Sequence, residues 1–135
     1  LSDLRHKGCH IIILSGGYGA VLADEPIGMY NAALKPSWWP DRILERVLIA
    51  YAKHHGLTSV RAFASATSAY RRVLQRIPWQ GEGIDDALLL TPDAEPGGTL
   101  RSPASLGEAL CALSAGRLTT GWKSSYGLGL SVHSC

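Results

Sequence analysis

Cysteine is scarce and unpaired in this sequence. Cys9, Cys111 and Cys135 are far apart, odd in number and form no CxxC pair, which argues against both a disulfide framework and a cysteine-rich zinc site. Long hydrophobic runs are missing too. The longest clean ones, Ile11-Ile12-Ile13-Leu14 and Ala87-Leu88-Leu89-Leu90, are strand-sized and fall well short of the ~18 residues of a membrane span. No stretch resembles a signal peptide. Charge of one sign is also in short supply: 13 basic residues stand against 11 acidic ones, a net of +2. The broad basic face of a dedicated nucleic-acid binder is therefore absent from the composition, although a local contact is not. What remains is a core-former: 135 residues, 46% hydrophobic and 18% charged, the size and make-up of one globular domain. The combination predicts a reduced, soluble, cytoplasmic protein without a membrane segment.

Along the chain, short apolar runs alternate with helical periodicity. Residues 10–14 form a β-branched run between Gly8 and Ser15-Gly16-Gly17, the pattern of a strand buried on both faces. Residues 15–26 read as a loop, and residues 27–39 as an irregular aromatic stretch with Tyr30, Trp38 and Trp39. A helix is expected over 41–55. Pro40 and Asp41 suit a first turn, and Ile43, Leu44, Val47, Leu48, Tyr51 and Ala52 recur at helical spacing, with Arg42, Glu45, Arg46 and Lys53 opposite. A second strand is expected near 59–64 and a helix over 69–77 ending at Pro78. A third strand is expected at 87–90, a Pro/Gly-rich loop at 91–103, and a helix over 105–115 with Leu106, Ala109, Leu110 and Leu113 inward. The order predicts an α/β fold, a three-layer, mostly parallel sheet flanked by helices, with strands 10–14, 59–64 and 87–90 as neighbours. Residues 1–115 make up that domain. Residues 116–135 are a Gly/Ser-rich segment with no assignable element. The chain opens on Leu1 to Gly8, which resembles a helix tail with a glycine stop, so an earlier element is expected to precede it.

Ligands of open α/β sheets gather at the carboxyl ends of strands, which directs attention to Ser15-Gly16-Gly17-Tyr18-Gly19. Its glycines permit positive φ or close approach of a ligand. It lacks the lysine of a phosphate loop and no helix follows it directly. A ligand loop and a plain tight turn both fit. Asp24 and Glu25 follow; paired carboxylates can act as general base or position water, or form a solvated acidic loop. Tyr30 can stack a base or cap the sheet. Arg72 and Arg76, four apart, share a helix face suited to phosphate or simply to solvent. His54 and His55 have no histidine partner four residues on, so no metal site is expected there, and no cofactor is implied elsewhere.

The residues Ile13-Leu14-Ser15-Gly16-Gly17-Tyr18-Gly19, then Glu25-Pro26-Ile27 and Tyr30, resemble the signature of the peroxide-stress YaaA-like proteins and their shorter relatives of unknown function. Thr67-Ser68-Ala69-Tyr70, before an amphipathic helix, is similar to that family's second strand end. The likeness spans residues 8–115. Two departures stand out. The family's opening strand with its Cys-Ser-x-x-Lys-like loop is absent, as in a fragment lacking the N-terminal strand, and Ala64-Ser65-Ala66 stands where a glycine is usual. The resemblance implies a fold similar to the uracil-DNA glycosylase-like arrangement, DNA binding, and protection of DNA under peroxide stress. It thus implies a nucleic-acid or nucleotide partner, with Ser15, Gly16, Gly17, Tyr18, Gly19, Glu25 and Tyr30 as the pocket; Arg72 and Arg76, from their shared helix face, are the expected contacts to nucleic acid. An N-glycoside-cleaving enzyme using Glu25 or Asp24, and a non-catalytic interaction module, are the alternatives.

Overall fold

The computed structural model describes residues 2–93 and 101–135. Four helices and five strands follow in the order α1 (Ser2–His6), β1 (Ile12–Ser15), β2 (Gly19–Leu22), α2 (Ile43–His54), β3 (Ser59–Phe63), α3 (Ala69–Gln75), β4 (Asp86–Pro92), α4 (Arg101–Ser114) and β5 (Leu130–Ser134). The fold is mixed α/β with two small sheets.

The larger sheet runs β3-β4-β5. β3 and β4 are parallel, with Ala62 opposite Leu89, as expected for strands joined through a helix. β5 pairs antiparallel with β4 on the other side, Leu90 facing Val132. It arises from the segment that carried no assignment, and its Leu130-Ser131-Val132-His133 alternation is the period of a strand. β4 is thus the central strand, and Leu89 on it is fully buried. Leu89 joins Leu48, Ala52, Ala62, Leu74, Ile77, Trp79 and Ile84 in the main core.

The first predicted strand does not join this sheet. β1 folds back on β2 as a separate antiparallel hairpin, Ser15 opposite Gly19. Two features explain the correction. A three-residue turn at 16–18 closed by Gly19 at φ +77° reverses the chain at once, a geometry typical of short hairpins. Ile13 is also exposed on one face, so β1 lacks the double burial that a central parallel strand needs. The hairpin instead lays Ile12, Leu14 and Ala20 against the main core.

α2 begins two residues later than expected, at Ile43, because Asp41 and Arg42 both adopt left-handed backbone, φ 56° and 55°, in a short 3-10 turn from Pro40. Its buried face is also rotated from the expected stripe. Leu44, Leu48 and Ala52 are buried at four-residue intervals together with Glu45, whereas Ile43 and Val47 face solvent. α3 starts on Ser68, whose Oγ accepts the Arg71 N–H at 3.2 Å, a side-chain cap of the usual kind.

α4 starts at Arg101, earlier than expected, with Pro103 in a first turn that tolerates it. It packs on β4. Buried Ser105 donates to Ser124 at 2.9 Å, and Glu108 accepts from both the backbone and the hydroxyl of Ser125, which ties the C-terminal segment to α4. β4 takes over Thr91 and Pro92 from the loop expected at 91–103, and residues 94–100 of that loop lie outside the described residues. No described helix is long and apolar enough to cross a membrane.

Candidate functional site

The glycine-rich turn is filled by the chain's own backbone. At Gly16 a Cβ would run into the backbone of Ala32, Ala33 and Leu34. At Gly17 it would lie 2.9 Å from the ring of Tyr30, and at Gly19 2.7 Å from the ring of Trp39. The segment 27–39 therefore crosses directly over the turn, and each of these three glycines makes room for it. The sequence signal at 15–19 was real, and its first cause is close packing.

Two tyrosines are held open at the rim of this contact. Ser15, 1% exposed, donates to the Tyr30 hydroxyl at 2.6 Å and accepts the Tyr18 N–H at 3.1 Å. The Gly28 N–H donates to the Tyr18 hydroxyl at 3.1 Å. The two rings meet edge to face with centroids 5.3 Å apart, and each stays more than 40% exposed. Tyr70, half-buried behind them, has its phenol pKa pushed up, first by burial and then by Tyr30, with a hydrogen bond from the Gly16 backbone working the other way. Ser15, Gly16, Gly17, Tyr18, Gly19 and Tyr30 are thus one structural unit.

The carboxylates lie elsewhere. Asp24 is exposed and pairs with Arg5 at 2.7 Å. Glu25 is exposed and accepts the Leu22 N–H three residues back, closing the turn after β2. Arg72 is exposed on α3. Arg76, just beyond α3, reaches a cleft of about 210 Å³ whose walls include Trp39, Asp41, Arg42 and Glu45. Trp39 links this cleft to the turn, since its ring is the neighbour of Gly19.

A second cleft, about 310 Å³, lies between α1, the hairpin and α2; Cys9, His10, Asp24 and Tyr51 are in its walls. Here sequence reasoning missed a cluster. His10 shares a 2.7 Å hydrogen bond with the Tyr51 hydroxyl, and His55 packs 4.6 Å from His10 and 4.3 Å from Tyr51, ring centre to ring centre. Desolvation lowers the His55 pKa, helped by the neighbouring His10 and His54 imidazoles. Among the described residues no group of three His, Cys, Asp or Glu side chains could hold a metal ion. His10 is some forty residues from its ring partners in sequence, so no local spacing announces the cluster.

Against known proteins, the chain matches no family model, no curated protein and no solved structure. The site must be read from its own geometry.

Proposed function

We propose that this chain is a non-catalytic, YaaA-like binding domain whose ligand is a nucleobase, presented by a nucleotide or a short single strand and stacked on Tyr18 and Tyr30. The exposed edge-to-face tyrosine pair carries this reading: both hydroxyls are already bonded, to Ser15 and by Gly28, so the rings are positioned before any ligand arrives. Bases stack on such rings with little regard for sequence, each worth about 1–3 kcal/mol. A binding role is preferred to glycosidic cleavage because Asp24 and Glu25 are solvent-exposed and engaged by Arg5 and by the Leu22 N–H. Kinship with the uracil-DNA glycosylase-like arrangement rests on the β3-α3-β4 unit alone. A cytoplasmic setting, suited to the peroxide-stress role that the resemblance implies, is supported by three free thiols.

The test is a titration with AMP and with a short oligothymidylate, followed by amide chemical shifts. Shifts should centre on residues 15–19 and 27–30. Tyr18→Phe, which keeps the ring but loses the Gly28 bond, should weaken binding less than Tyr18→Ala, which should weaken it about 5–150-fold, the equivalent of one stacked base. Shifts confined to other regions, or an unchanged affinity in Tyr18→Ala, would remove the proposal.

A further inference from the structure

Of the large hydrophobic side chains in the three-stranded sheet, Val132 alone is exposed, at 57%. It lies at the middle of β5, an edge strand paired on one side only, with β4. Two bonds that flank this pairing show which backbone groups face inward. The Asp93 N–H donates to the Gly129 carbonyl, and the Cys135 N–H donates to the Ala87 carbonyl. Residues 129, 131, 133 and 135 therefore turn their N–H and C=O groups to β4. In an antiparallel pair that direction alternates with each residue. The backbone groups of Leu130, Val132 and Ser134 thus point away from the sheet, and among the described residues none of them is bonded to another segment.

Natural edge strands are blunted by charge, proline, a bulge or shortness. β5 has none of these guards. Leu130-Ser131-Val132-His133-Ser134 holds no Lys, Arg, Asp, Glu or Pro, and its register with β4 runs through five consecutive pairs without a bulge. The other strands with an open side differ. β3 carries a charge, Arg61, at its middle position, and β1 and β2 are only four residues long.

We infer that β5 is a self-association edge: two copies of this chain pair through it, antiparallel about a two-fold axis at Val132, and join their sheets into one. The register argues for a second copy as the occupant. Read against itself in the antiparallel sense, β5 sets Val132 on Val132, Leu130 on Ser134 and Ser131 on His133. Outward backbone groups then meet only outward backbone groups, so every open N–H and C=O of residues 130, 132 and 134 finds a partner. On one face each Val132 covers its counterpart. On the other, a serine hydroxyl stands beside an imidazole, and no like charges are opposed. Such self-complementarity is what a two-fold interface requires. The contact is one strand wide, short of the ~800 Å² per partner of a standard interface, so the dimer is reversible. It uses no residue of the tyrosine pair and does not depend on ligand binding there.

The experiment is sedimentation equilibrium of the whole chain from about 1 μM to about 1 mM, with amide hydrogen exchange measured at both ends of the range. The mass should rise from monomer to dimer. Exchange at Leu130, Val132 and Ser134 should be fast in the dilute protein and at least about tenfold slower in the concentrated one, while Ser131 and His133 stay protected in both. Val132→Lys changes an exposed side chain and sets two cations on the axis; it should weaken association at least about tenfold. Unchanged protection at Ser131 and His133 in that variant would show that β5 is still in place. Met29→Lys, in the other exposed apolar region, should leave association as it is. A chain that stays monomeric throughout, a dimer that survives Val132→Lys, or a dimer lost in Met29→Lys would overturn the proposal. So would protection of Leu130, Val132 and Ser134 already present in the dilute monomer, since another segment would then cover the edge. An edge that accepts only foreign extended peptides gives the first of these results.

Discussion

The two halves of this molecule treat apolar surface differently. In the half built on β3, β4 and β5, large side chains go inward: Leu89, Ile77, Ile84 and Trp79 are each no more than 3% exposed. In the half built on the hairpin, the segment 27–39 and the outer face of α2, they turn outward. Eight of the ten exposed large hydrophobic side chains among the described residues fall between residues 13 and 47, Met29 fully exposed among them. Scattered exposed apolar groups are normal, but this concentration is a property of one region. One half holds the fold together; the other leaves its aromatic and aliphatic groups on the surface.

That contrast can be broken most directly at its stable end. Leu89→Ala removes a fully buried side chain from the central strand and should cost about 2–5 kcal/mol in urea unfolding. Met29→Ala, made alongside it, should stay within about 0.5 kcal/mol. Equal losses would mean that the two halves are not distinct.

A smaller effect is expected where the halves meet. Gly16→Ala places a methyl group against the backbone of residues 32–34, which cannot rotate away. It should destabilise by about 1–3 kcal/mol, the usual range for overpacking, and amide exchange should quicken in 27–39 more than in β4. A neutral Gly16→Ala would show that this segment is only loosely laid over the turn.

The smallest effect is on pH. The His55 pKa is lowered in the fold, so below its ordinary value near 6.5 the unfolded chain takes up a proton that the folded one resists. His55 therefore supports stability above that value, and the support fades as pH falls through it towards the lower folded pKa. The melting temperature should drop as pH falls below about 6.5, with a shallower slope in His55→Gln. Parallel slopes in the two proteins would remove His55 as the cause.

Much of the stable half was legible in the sequence. Ala87-Leu88-Leu89-Leu90 announced a strand, and the helix between it and 59–64 required the parallel pairing that is found. β5 was legible in principle, since its alternation is a strand's, but Gly127, Gly129 and the flanking serines masked it. The exposed half misled for physical reasons. Ile11-Ile12-Ile13-Leu14 has the composition of a buried strand, but composition does not say which strand pairs with which, and a three-residue turn settled that locally. α2 showed apolar residues on two adjacent stripes, and only tertiary packing chose Leu44, Leu48 and Ala52 over Ile43 and Val47. Of the candidate site, the sequence marked Ser15 to Gly19 and Tyr30 as belonging together. It could not reveal that Glu45 is buried, because a glutamate between arginines on a helix looks solvated.

The place of β5 has a consequence in time. It reaches β4 from about forty positions along the chain, Leu88 with Ser134 and Pro92 with Leu130. The β1–β2 pairing spans only a three-residue turn. Hairpins of that kind close within about 1–10 μs, whereas distant strands must first meet the entropy of a long loop, which slows assembly far more than it weakens the product. The region with the least buried surface is thus the one whose local pairing is quickest to form, and the deepest strand of the molecule is the one that has to wait for its second neighbour.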